Sequence, residues 1–230
     1  MKILHSKIPL ILVFLLSGLR SEAETIADNP TVSLVTSGSF GPQTRYTLSN
    51  FRVLNSSVTG TGTLYEADDL GVGISSGSAN VSPSIRYDYI QVIFYEAAGQ
   101  GFSGGGGRGT TFTVAYDVAV EAANGAPASP NRLSYTTANM QSTQFAGVSL
   151  ALSASDGSNT ATLKTYPGAD ISGFAPQFTV TNTVTISGGA PPFDGFASFD
   201  ALYNMFIVPE AHSASLVLLS LGALACRRRR

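Results

Sequence analysis

The chain has 230 residues, of which 43% are hydrophobic and only 12% charged, and its formal net charge is −2. It holds one cysteine, two histidines and no tryptophan. Charges so sparse and slightly acidic exclude a nucleic-acid backbone as partner, and a lone cysteine excludes an internal disulfide.

The first element is an export signal. Lys2 and Lys7 flank the start of an apolar run over residues 8–16, and small residues follow as far as Ser21-Glu22-Ala23. A positive n-region, a short h-region and a small-residue cleavage site are the pattern of a secretory signal peptide over 1–23, handled by the Sec export machinery and cut after Ala23. Nine apolar residues are too few for a retained membrane span. The body, 24–207, then carries six basic and thirteen acidic residues, a net of −7. His5, His212 and Cys226 all fall outside it. The body therefore lacks the residues for Ser-His-Asp or Cys-His catalysis and for zinc ligation. It is expected to be no enzyme, to need no cofactor, and to rely on a packed core long enough to bury itself.

Along the body, helical periodicity is nearly absent. Short β-branched and aromatic runs recur between Gly, Pro, Asn and Ser clusters. Strands are predicted over 31–36, 45–54, 57–66, 85–97, 110–121, 133–137, 145–154, 160–166, 177–187 and 197–207. Two alternations are clean: Phe112, Val114, Tyr116, Val118 and Val120 on one face, and Phe178, Val180, Asn182, Val184 and Ile186 on another. Strand 85–97 is apolar on both faces at its middle, so it is placed centrally, with 110–121 beside it. Many strands and little helix predict an all-β, antiparallel β-sandwich or jelly roll.

Between those two strands lies a glycine-rich stretch, 99–109. Gly104, Gly106 and Gly109 match a dinucleotide fingerprint in spacing, but a strand follows instead of a helix, so the stretch reads as a flexible hairpin loop. Glu66, Asp68 and Asp69 gather before Gly71 and Gly73, and carboxylates at a turn are oxygen donors suited to Ca²⁺. The alternative is a solvated turn that aids solubility. Asp194 and Asp200 make a weaker case of the same kind. Glycoside hydrolysis needs two carboxyls facing across a cleft; Glu66, Glu96 and Glu121 are available, with Tyr87, Tyr89, Tyr95 and Phe102 as stacking platforms. The Thr179, Thr181, Thr183 and Thr185 face suggests a water-ordering surface. One strand does not make an array, however, and threonine is favoured on any exposed sheet face.

The chain ends in Val208-Pro209-Glu210-Ala211-His212, an uncharged apolar run over 213–226, and Arg227, Arg228, Arg229 and Arg230. Fourteen residues of helix rise about 21 Å against a hydrocarbon core of about 30 Å. The run is short for a permanent span, and the arginines favour the cytoplasmic side. Pro209, with no N–H and a fixed φ, ends any strand before it and presents Glu210 on extended backbone.

This tail, 208–230, resembles the PEP-CTERM sorting signal of Gram-negative and related bacteria. Ala211 stands where the family pattern has a second proline. The resemblance implies an exosortase, a membrane-embedded cysteine transpeptidase, as partner, cutting near Pro209-Glu210. It also implies a precursor held transiently in the inner membrane and a product at the envelope, the cell surface or outside, often with exopolysaccharide. The expected function is a structural or adhesive matrix component; the competing one is a carbohydrate-binding or carbohydrate-active sandwich, calcium-dependent in one form.

Overall fold

The computed structural model describes residues 24–209, except 41, 61, 83–84, 106–108, 126–131, 139, 143–145, 164, 166–167 and 189–194. The predicted signal peptide with Ala23, and the tail from Glu210 through Arg227, Arg228, Arg229 and Arg230, lie outside the described residues.

The strands in chain order begin with β1 (Glu24–Thr25), β2 (Val32–Val35), β3 (Thr44–Thr59), β4 (Leu70–Ser82) and β5 (Ile85–Glu96). Then come β6 (Phe102–Gly105), β7 (Gly109–Ala122), β8 (Arg132–Ala138), β9 (Gln141–Ser142) and β10 (Gly147–Ser155). The last are β11 (Thr160–Thr162), β12 (Ala169–Asp170), β13 (Gln177–Ser187), β14 (Phe196–Phe199) and β15 (Ala201–Pro209). All pairings are antiparallel. One six-stranded sheet runs β1-β4-β5-β15-β8-β12, a second β11-β10-β13-β7-β3-β2, and a small third sheet β6-β14-β9. The all-β expectation holds.

The two large sheets face each other across one continuous core. Phe206 on β15 meets Tyr46, Tyr116 and Phe178 of the second sheet, and Phe51 and Tyr116 meet Phe94 of the first. Both predicted alternations point inward: Phe112, Val114, Tyr116, Val118 and Val120 are buried on β7, and Phe178, Val180, Val184 and Ile186 on β13. Two polar groups enter the same layer. The Tyr116 hydroxyl donates to Asn204 Oδ1 at 3.0 Å. Asn182 is fully buried with neither amide atom hydrogen-bonded, a cost of about 1–3 kcal/mol.

Several expectations need correction. Strand β4 is absent from the predicted set, because glycines and serines dilute the short inward alternation of Leu70, Val72 and Ile74. It forms because glycine makes room for aromatic neighbours: a Cβ at Gly71 would lie 2.1 Å from the Tyr95 ring, and one at Gly77 2.6 Å from the Tyr89 hydroxyl. The predicted strand 45–54 and the first residues of 57–66 form one strand, β3, which ends at Thr59 and is irregular between Ser49 and Arg52 and between Val53 and Asn55. Beyond it Tyr65 turns inward against Phe102 and Phe112. Strand β5 is central, but between β4 and β15; β7 belongs to the opposite sheet.

The glycine-rich stretch is therefore no hairpin. It carries β6, which pairs with β14, and its Phe102 is fully buried 4.7 Å from the Phe199 ring. The predicted strand 197–207 divides at Asp200 into β14 and β15, which lie in different sheets. The body also reaches past residue 207. Val208 is fully buried in the main core, and Val208 and Pro209 pair with Asp88 and Tyr87.

Candidate functional site

Of the carboxylates named as acid–base or calcium candidates, Asp69, Glu96 and Glu121 are engaged by local structure. Asp69 accepts the Glu66 N–H at 2.9 Å, closing its own turn, while Glu66 and Asp68 are exposed. Glu96 accepts the Gln100 N–H at 2.7 Å, and Glu121 faces Arg45 at 3.8 Å. Among the described residues no three His, Cys, Asp or Glu side chains gather in a metal-holding group. Asp194 lies outside the described residues. Phe102 cannot stack on a sugar, being in the core; Tyr89 and Tyr95 are half-buried beside the β4 glycines. Asp88 is fully buried, accepting the Ser37 and Ser78 hydroxyls at 2.6 and 2.7 Å and the Phe40 N–H at 3.1 Å, so it fastens Ser37 and Phe40 to the first sheet.

The outer face of the second sheet carries rows of hydroxyl side chains. Residues opposite one another in an antiparallel ladder share a face. The register sets Thr111 beside Thr185 and Thr113 beside Thr183 across β7 and β13. It sets Ser149, Ser153 and Ser155 of β10 beside Thr185, Thr181 and Thr179. Thr160 and Thr162 of β11 continue the rows outward, and Ser49 and Ser57 of β3 extend them on the other side. The threonine face of β13 is thus one column of a multi-strand array. Its sequence signal was spread over five segments, each a common exposed-sheet pattern alone, so only the strand order reveals it.

Within the array, side chains hold one another. The Thr111–Thr185 and Thr113–Thr183 hydroxyls are each 3.0 Å apart. Thr179 donates to Asp117 at 2.8 Å, and Arg52 sits 3.2 Å from the same carboxylate, with Asn50 donating at 2.6 Å. Partial burial pushes the Asp117 carboxyl up, but the bonds from Asn50, Thr179 and Arg52 and the Arg52 charge outweigh it, leaving it below the usual range. A groove of about 550 Å³ adjoins this end of the face, lined by Ser49, Asp117, Ala119, Ser155, Asp156, Gln177 and Thr179 among others. Its volume falls in the range of small-ligand pockets.

Asp156, on the groove rim, is held well below the ordinary carboxylate range. The Asn159 amide donates to it first, then the Ala175 and Asn159 N–H groups, with Ser158 adding another. A depressed folded-state pKa gives stability that is present above the unfolded value of about 3.9 and is lost as pH falls through the folded value. Asp117 works in the same direction. Melting temperature should therefore drop below about pH 4, and Asp156→Asn should flatten that acid limb. Thermal melts of both proteins between about pH 2 and pH 6 check this; parallel limbs would show that Asp156 carries none of the dependence.

No protein-family model matches the chain, and no curated protein or solved structure matches it. Among the described residues no helix is long and apolar enough to cross a membrane.

Proposed function

We propose that this chain is an exported, non-catalytic β-sandwich that serves as a structural or adhesive component of the cell envelope or extracellular matrix. It is delivered there by an exosortase-like membrane transpeptidase acting on the tail. The observation that carries the reading is the broad hydroxylated face of the second sheet, which offers many equivalent hydrogen-bonding groups and no reactive centre. Supporting it, Asp69, Glu96, Asp117, Glu121 and Asp156 are each engaged by the protein's own donors or counter-charge. Asp117 and Asp156, held below the usual carboxylate range, are poor proton donors at neutral pH.

Delivery rests on Pro209-Glu210, the apolar run and Arg227, Arg228, Arg229 and Arg230. Burial of Val208 adds a constraint: a cut that leaves the body intact falls after Pro209. In the native host, Glu210→Ala should accumulate as an unprocessed, membrane-bound precursor, because the processing enzyme loses the charge it reads while the segment stays equally apolar. A fractionation blot shows this. Equal sizes and equal membrane retention for wild type and variant would instead mean a plain anchor.

A further inference from the structure

We infer that the protein pairs with a second copy of itself, edge to edge along β4, so that the first sheet runs on unbroken through a two-fold dimer. The inference goes beyond the proposed function and rests on it at one point, the export cut after Ala23.

The starting observation is an open edge. Among the described residues, the outer side of β4 is paired by β1 alone, at Gly71 and Val72. On its other side the ladder to β5 is regular from Leu70 to Asn80, and the irregularity comes between Asn80 and Ser82. Cleavage after Ala23 starts the chain at Glu24, opposite Val72, so β1 has no residue to lay beside Gly73. Residues 73–79 thus offer a regular row of backbone N–H and C=O groups turned away from β5. Such a row takes up a further strand.

The edge is also unguarded. Proteins blunt exposed edges with charges, prolines or bulges. The run Gly73-Ile74-Ser75-Ser76-Gly77-Ser78-Ala79 has none of these. Other edges differ: β3 beyond β2 is twice irregular and carries Arg52. The β10 edge is met by β11 and, further along, by β9 and β14. β8 is capped at one end by β12 and leaves 134–138.

The strand that fits this edge is the same strand turned round. A foreign strand is selected by side-chain pockets, and glycine and serine supply none. A second copy needs only a register, and the boundaries on β4 set it. Mates in an antiparallel pair share a face. A pairing centred on Ser76 puts Gly73 opposite Ala79, Ile74 opposite Ser78 and Ser75 opposite Gly77, all inside the open stretch. A centre nearer Gly71 runs into β1, and one nearer Ser82 runs into the irregularity. Nothing bulky stands in the way, because Ile74 is buried inward and its neighbours on the run are small. The Tyr89 hydroxyl already leans toward the edge, 2.6 Å from where a Gly77 Cβ would lie. In the pair it meets Ser75 of the second copy, which can hydrogen-bond to it. Because the same strand serves both copies, the contact closes at two and builds no fibre.

The test uses the full chain, expressed with its own export signal and recovered in mild detergent, in sedimentation velocity. Wild type should run as a dimer at about 100 μM, a range suited to a small backbone-paired interface. Ser76 is exposed and opposes itself across the two-fold axis. Ser76→Lys and Ser76→Glu should each be monomeric, because like charges then face one another, and mixing the two should restore the dimer. In a Cys226→Ser background, Ser76→Cys should give a disulfide-linked dimer on mild oxidation, since Cα atoms of opposed residues lie about 4.5–5.5 Å apart. Thr136→Cys, exposed on β8, should not. Melts check folding, and the Ser76→Cys link decides the matter should the charged variants not fold. A monomeric wild type, a dimer indifferent to Ser76→Lys, equal linking at Ser76 and Thr136, or an open-ended polymer would each overturn the inference. The mass of the recovered N-terminus separates the two readings. A chain that begins at Glu24 and stays monomeric rejects the edge pairing, whereas one that keeps residues before Glu24 rejects the export cut, and the Ser76→Cys link then judges the edge by itself.

Discussion

Phe206→Ala should destabilise the protein by about 3–5 kcal/mol, the usual cost of removing a fully buried aromatic ring. Phe206 is 0% exposed and lies between Tyr46 at 5.2 Å, Phe178 at 6.1 Å and Tyr116 at 6.4 Å, all on the opposite sheet. Its loss leaves a cavity in the layer joining the sheets, and the rings around it are tied to their strands, so collapse can fill little of it. For a body of this size the midpoint should fall by roughly 6–20 °C. Thermal and urea melts measure it. A drop under about 2 °C would mean that the sheets are not joined through this ring.

The second large effect concerns where the folded unit ends. A chain running from Glu24 to Pro209 should melt well above one that stops at Ile207. Val208 is 0% exposed and packs in the main cluster, so its removal forfeits about 1.5–3 kcal/mol of burial. The pairings of Val208 with Asp88 and of Pro209 with Tyr87 go with it. Asp88 would then lose a strand neighbour while still buried, which adds to the cost. Matching midpoints for the two chains would place the end of the folded unit at Ile207 after all.

Where one strand has a buried and a solvated face, the sequence spelled it out. The period-two patterns on β7 and β13 named their inward residues, and the double-sided apolar run of β5 marked a central strand. What stayed hidden depended on partners far along the chain. β4 is missing from the predicted strands because its glycines make sense only beneath Tyr89 and Tyr95, which come later on β5. The stretch 99–109 reads as a hairpin loop because its composition outweighs Phe102, whose burial depends on Phe112, Phe199 and Tyr65. The hydroxyl face escaped for a related reason. Its columns are adjacent only after β10, β13, β7 and β3 line up, and no local pattern encodes that order.

The position of β15 has a consequence for how the chain reaches its native state. The last strand among the described residues sits between β5 and β8, and those two strands pair with it and not with each other. Until residues 201–209 arrive, the first sheet exists as two parts, each with an open edge that invites unwanted pairing. Folding therefore cannot proceed to completion from the N-terminus as the chain emerges, and pairing over such long sequence separations is slow. The first sheet closes only when residues 201–209 slot between β5 and β8.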